Sequence, residues 1–155
     1  MDFCNIIYSA IHYKNNLRKG SERMYNLFIS HSWSYSDAYN KLTSLLDNAN
    51  YFTYKNYSVP KDDPIHNANN DKELYEAIKQ QIRYASVVII LAGVYSSYSK
   101  WIDKEIKIAE ELGKPILAIE PWASDKTSLK VKNAADKIVK WNTDSIIRAI
   151  RDLSI

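Results

Sequence analysis

The sequence contains very little cysteine, glycine and histidine, and each shortage excludes a class of site. Cys4 is the only cysteine, so an intrachain disulfide and a CxxC metal cluster are excluded, and a reducing compartment fits. The three glycines form no phosphate-binding fingerprint of the Rossmann or P-loop kind. The three histidines lie at no spacing that suggests metal ligands. We therefore expect neither a metal nor a prosthetic group.

Long apolar runs and concentrated positive charge are also missing. No apolar stretch approaches the roughly 18 residues of a transmembrane helix, and Asp2 stands where a signal peptide requires positive charge. The net charge is only +3, and the basic residues form no stripe of the kind that neutralises nucleic-acid phosphates. We expect a soluble, cytoplasmic protein that binds neither membranes nor nucleic acid.

The remaining composition is that of one globular domain. Hydrophobic residues make up 46% of the 155 residues, which is enough apolar surface for one substantial core. Residues 1–23 combine a short helical pattern with a polar stretch, and we interpret them as an N-terminal helix and linker. Residues 24–155 then form the domain itself.

Strand and helix patterns alternate throughout this domain. The continuously apolar, β-branched segment at residues 86–92 is typical of a strand buried on both faces of a parallel sheet. Further strands are predicted at residues 24–29, 51–57, 115–119 and 137–141, with helices between them. Because parallel strands need crossovers, we predict an α/β fold with a flavodoxin-like five-stranded parallel sheet, order 2-1-3-4-5, and helices on both faces. Ligands then bind at the carboxyl ends of strands 1 and 3.

Glu105 lies on the apolar face of the helix predicted for residues 100–112. In projection it falls between Leu112 and Ala109, and Trp101 precedes it by one turn. A carboxylate in an apolar setting needs a raised pKa or a polar pocket. In a structural interpretation, Glu105 reaches the rim or pairs with a basic side chain. In a functional interpretation, Glu105 belongs to a ligand-binding site, because this helix starts beside the strand ends where the fold binds ligands.

Three motifs in this order resemble a Toll/interleukin-1 receptor (TIR) domain. They are the segment Phe28–Ser32 after the first strand, the apolar strand that ends at Gly93, and Trp101-x-x-x-Glu105 on the next helix. Over roughly residues 24–152 the chain is similar to the TIR-like NAD-processing proteins of bacterial Thoeris antiphage defence. Residues 1–23 lie outside the resemblance.

The resemblance implies an activity and partners. Glu105 matches the family's catalytic glutamate, which contacts the ribose attached to nicotinamide. The implied substrate is NAD, and the implied reaction is an NAD glycohydrolase or cyclase reaction that gives ADP-ribose or a cyclic ADP-ribose isomer. The product is expected to activate a separate effector protein, and TIR surfaces are expected to mediate self-association. A non-catalytic TIR scaffold and another nucleoside-processing enzyme, such as an N-ribosyl transferase, are the alternatives.

Further candidates for substrate contact flank the first and third strands. The loop after the first strand offers hydroxyls and backbone N–H groups that could bind a pyrophosphate. The alternative is that this loop only caps the next helix. Aromatic rings after the third strand are able to stack on a base or on nicotinamide, or to pack in the core. The candidates are Ser30, His31, Ser32, Trp33, Tyr95 and Trp101. No nucleophile elbow accompanies His31, so a Ser/His/Asp triad is rejected.

Overall fold

The computed structural model describes residues 23–30, 36–58, 71–93, 100–120 and 127–154, in which strands and helices alternate. The elements are β1 (Met24–Ser30), α1 (Ser36–Asp47), β2 (Thr53–Asn56), α2 (Asp71–Tyr84), β3 (Val87–Leu91), α3 (Lys100–Glu111), β4 (Ile116–Glu120), α4 (Leu129–Ala134), β5 (Lys137–Lys140) and α5 (Thr143–Leu153). None of these helices is long and apolar enough to cross a membrane. The N-terminal helix predicted within residues 1–23 lies outside the described residues, so the domain boundary stays a prediction.

The five strands form one parallel sheet with the order β2-β1-β3-β4-β5. This confirms the predicted flavodoxin-like topology. The chain reverses its direction of winding between β1 and β3, which pair from Leu27 and Val87 to Ser30 and Ile90. Ligands of doubly wound sheets bind at this switch point, outside the carboxyl ends of the strands. The short strands β2 and β5, four residues each, form the two edges of the sheet.

The core has two layers because successive side chains of each strand point to opposite faces of the sheet. On one face, Leu27 and Ile29 of β1 pack against α1 and α5. On the other face, Phe28 packs with the apolar sides of α2, α3 and α4. Ser30 continues the alternation after Phe28 and therefore lies on the α3 side of the sheet.

Helix α3 ends in a Schellman motif. The N–H of Gly113 donates to the carbonyl of Glu110 over 3.1 Å, and the N–H of Lys114 donates to the carbonyl of Ala109 over 2.8 Å. Gly113 adopts a φ of 61°, a left-handed conformation that glycine reaches without steric cost. The predicted end of this helix at Gly113 is confirmed.

The substitution Gly113→Ala is expected to lower the free energy of unfolding by about 1 to 2 kcal/mol, the cost of a left-handed L-residue. A Cβ atom at Gly113 meets nothing within 4 Å, so the loss comes from the backbone alone. Urea denaturation measures it, with Gly93→Ala as the matched control. A Cβ at Gly93 also meets nothing within 4 Å, and Gly93 has no positive φ. Equal stability of the two variants would contradict the explanation.

Candidate active site

A buried hydrogen bond joins β1 to α3 at the switch point. The Ser30 hydroxyl donates to Oε2 of Glu105. The two residues are 75 positions apart in the chain, and each is buried, with 1% of Ser30 and 8% of Glu105 exposed. The carboxyl end of β1 therefore presents a hydroxyl to a carboxylate on the neighbouring helix, where the fold binds ligands.

Glu105 is surrounded by apolar side chains of its own helix. Ile102 and Ala109, one turn before and after it on the same stripe, are buried together with Ile106 and Ile108. This agrees with the helical projection, which placed Glu105 in the apolar face. Among the described residues Glu105 has no Lys or Arg partner, and the structural interpretation needed either such a partner or an exposed carboxylate.

The environment makes Glu105 a weak acid. Burial raises its pKa from 4.5 to about 7, because desolvation disfavours the charged form, and the hydrogen bond from Ser30 opposes this by lowering it. Near neutral pH the carboxylic acid and the carboxylate are therefore both populated. A carboxyl group with a pKa close to the working pH is typical of groups that take part in catalysis.

For Trp101, the structure excludes one of the two predicted alternatives, packing in the core. It lies in the first turn of α3 and is 38% exposed, and the Lys104 ammonium is 5.2 Å from the centroid of its ring. The first turn of the helix lies at the carboxyl edge of the sheet, because α3 follows β3 in a parallel sheet. Trp101 is thus not a core residue, and its contact with substrate stays a prediction.

A second carboxylate, which the sequence analysis missed, lies at the same edge of the sheet. Glu120 ends β4 and accepts a hydrogen bond from the hydroxyl of Thr127, a buried side chain, over 3.0 Å. It continues the alternation of Ile116 and Ala118 and so lies on the α3 side, two strand spacings or roughly 10 Å from β1. The available signal was an acidic residue directly after an apolar strand.

The comparison with protein families bears on this arrangement. The family model described as "Thoeris protein ThsB, TIR-like domain" matches residues 28–126. The chain belongs to this family. The match includes Ser30, Glu105 and Glu120, and membership gives the chain a TIR-domain role in Thoeris defence. A comparison with curated proteins finds no match.

Two ion pairs connect α3 of this ThsB-type TIR-like domain to its neighbouring helices. Lys130 of α4 lies 2.6 Å from Asp103, and Lys79 of α2 lies 3.0 Å from Glu111. Exposed pairs of this kind contribute about 1 kcal/mol or less to stability. In both pairs the lysine of the neighbouring helix contacts a carboxylate of α3 other than Glu105.

The other predicted contacts of the TIR-like domain fall on parts of the chain that the structure does not describe. His31, Ser32, Trp33 and Tyr95 lie outside the described residues. Their contact with substrate stays a prediction. Within the described ranges, no group of three or more His, Cys, Asp or Glu residues is placed to hold a metal ion.

Proposed function

We propose that this TIR-like domain binds NAD and breaks the bond between nicotinamide and ribose, with Glu105 stabilising the positive charge that develops on the ribose. The observation that carries the proposal is the position of Glu105. It is a carboxylate within an apolar helix face, at the switch point of the sheet. In the part of the chain that the structure describes, its partner is the Ser30 hydroxyl and not a basic side chain.

The proposed reaction needs a negative charge more than it needs an acid. Nicotinamide leaves with the electron pair of the glycosidic bond and departs as a neutral molecule, so it requires no proton. The ribose carbon that remains has oxocarbenium character, which a nearby carboxylate in a poorly solvated pocket stabilises. Water then adds to this carbon and releases a proton to give ADP-ribose, or another group of the same molecule adds and gives a cyclic isomer. We favour a cyclic or otherwise modified ADP-ribose that activates a separate effector.

Nicotinamide release is expected to rise roughly 30-fold between about pH 5.5 and about pH 8.5, with its midpoint near the pKa of Glu105. The sign follows from the need for the charged form, which becomes populated as the pH rises through about 7. The assay incubates concentrated purified protein with NAD, without and with crowding agents, and separates nicotinamide and the adenine-containing products by chromatography. Retention and mass of the product distinguish hydrolysis from cyclisation.

Other outcomes of this assay select other functions. Activity that falls as the pH rises would make Glu105 a proton donor and contradict the electrostatic role. Activity on free nucleosides but not on NAD would select the nucleoside-processing alternative. No reaction with either would favour a non-catalytic scaffold. The burial of Glu105 argues against a scaffold, since a buried carboxylate costs free energy and contributes nothing to a scaffold.

A further inference from the structure

The Ser30 side chain has a fixed position and almost no access to solvent. Its backbone belongs to β1 and is in register with Ile90 of β3, so the strand pairing holds its Cα atom. The position of the serine Oγ atom then depends on rotation about the Cα–Cβ bond alone, and this rotation places Oγ next to Glu105. With 1% of the residue exposed, the hydroxyl is enclosed between the sheet and α3.

Glu105, by contrast, has a long side chain that needs to be held. Fixing a glutamate costs on the order of 1.5 to 2 kcal/mol of side-chain entropy. Its Oε2 atom accepts the Ser30 hydrogen bond, and within the described ranges the core side chains packed around Glu105 are apolar and offer no other polar contact. The Ser30 contact therefore selects the conformation of the carboxylate.

We propose that Ser30 is a positioning residue: it holds Oε2 of Glu105, so that Oε1 is the oxygen presented to the reacting ribose carbon, and Ser30 itself does not contact the substrate. This inference rests on the proposed function for the identity of the substrate. It replaces the direct substrate contact that the sequence suggested for Ser30 with an indirect role through Glu105.

Among the described residues, the Ser30 hydrogen bond is the interaction that opposes the effect of burial on the pKa of Glu105. β3 contains no titratable side chain, and Tyr25 of β1 packs on the opposite face of the sheet. Four described ionisable groups of the neighbouring elements interact with residues other than Glu105: Tyr75 and Lys79 of α2 with Glu111, Lys130 of α4 with Asp103, and Glu120 of β4 with Thr127. Removing the Ser30 hydroxyl is therefore expected to raise the pKa of Glu105 further.

The test compares Ser30→Ala, the conservative variant Ser30→Thr and the control Ser86→Ala. The Ser86 hydroxyl donates to the carbonyl of Asn26 over 2.9 Å, so it joins β1 to the residue that precedes β3, at the amino end of that strand and away from Glu105. Carbon-13 NMR of labelled glutamate follows the titration of Glu105, assigned with Glu105→Gln. Nicotinamide release from NAD gives kcat and KM.

Ser30→Ala is expected to shift the titration midpoint of Glu105 upward and to lower kcat about 10-fold without changing KM, because the carboxylate is misplaced. Ser30→Thr retains the hydroxyl and is expected to keep the wild-type titration midpoint of Glu105 and the wild-type kcat. Ser86→Ala is expected to change neither the midpoint nor kcat. An unchanged Glu105 titration in Ser30→Ala would overturn the proposal whatever the turnover. A raised KM at constant kcat would also overturn it, because Ser30 would then contact the substrate. Failure of the wild-type protein to release nicotinamide would refute the proposed function, and the NMR titration would still decide whether Ser30 controls Glu105.

Discussion

Glu105→Gln is expected to lower the rate of nicotinamide release by about 100- to 1,000-fold, the usual effect of removing one electrostatic stabiliser of a transition state. Glutamine has nearly the same size and still accepts the hydrogen bond from Ser30, but it carries no negative charge for the developing oxocarbenium ion. Initial rates at saturating NAD and about pH 8 measure the effect, and circular dichroism checks that the fold is retained.

The matched control is Glu110→Gln, a change of the same chemistry at an exposed position of the same helix. It is expected to keep the wild-type rate, because Glu110 lies outside the apolar face that buries Glu105. If Glu105→Gln kept its activity to within a few fold of this control, the carboxylate would not be the charge that stabilises the transition state, and the proposed mechanism would be wrong.

Raising the pH from about 4 to about 8 is expected to shift the difference in free energy of unfolding between Glu105→Gln and the wild type by about 3 kcal/mol in favour of the variant. The pKa of Glu105 is 4.5 in an ordinary environment and about 7 in the folded protein. Between these two values the unfolded chain ionises while the folded protein holds its proton. The stability contributed by the neutral acid is therefore complete below about pH 4.5 and is lost as the pH rises through about 7.

Urea denaturation of wild type, Glu105→Gln and Glu110→Gln at several pH values measures this shift. Glu110→Gln should follow the wild-type curve, whereas Glu105→Gln should separate from it progressively between about pH 4.5 and about pH 7. A separation that stays constant across the pH range would show that the carboxylate is not strongly desolvated.

The fold was predictable because strand and helix patterns are local. The buried strand at residues 86–92 and the alternating helices between strands specify a parallel sheet before any contact is known. The limits of β2 were less predictable. Its aromatic residues suggested a strand over 51–57, whereas the strand begins at Thr53 and ends at Asn56. Tyr51 instead has a φ of 56° and belongs to the preceding turn, a conformation that its side chain does not favour.

The candidate site was predictable only in part, because its contacts join distant segments of the chain. Helical periodicity places Glu105 in the apolar face without knowledge of the partner. The contact with Ser30 depends on the strand order and on which face of β1 each side chain occupies, which the structure provides. The pattern could not decide whether Trp101 packs in the core, and in the structure 38% of this residue is exposed. Glu120 was missed because one acidic residue after a strand is a weak signal.

The edge strands of the sheet affect how the protein behaves when it is concentrated. β2 and β5 are each four residues long, and they carry Lys55 on one edge and Lys137 and Lys140 on the other. Short edges offer few unpaired backbone groups to another sheet, and lysines repel a second copy of the same strand. These edges therefore oppose edge-to-edge aggregation, which favours keeping the protein in solution at the high concentrations that the NAD assay requires.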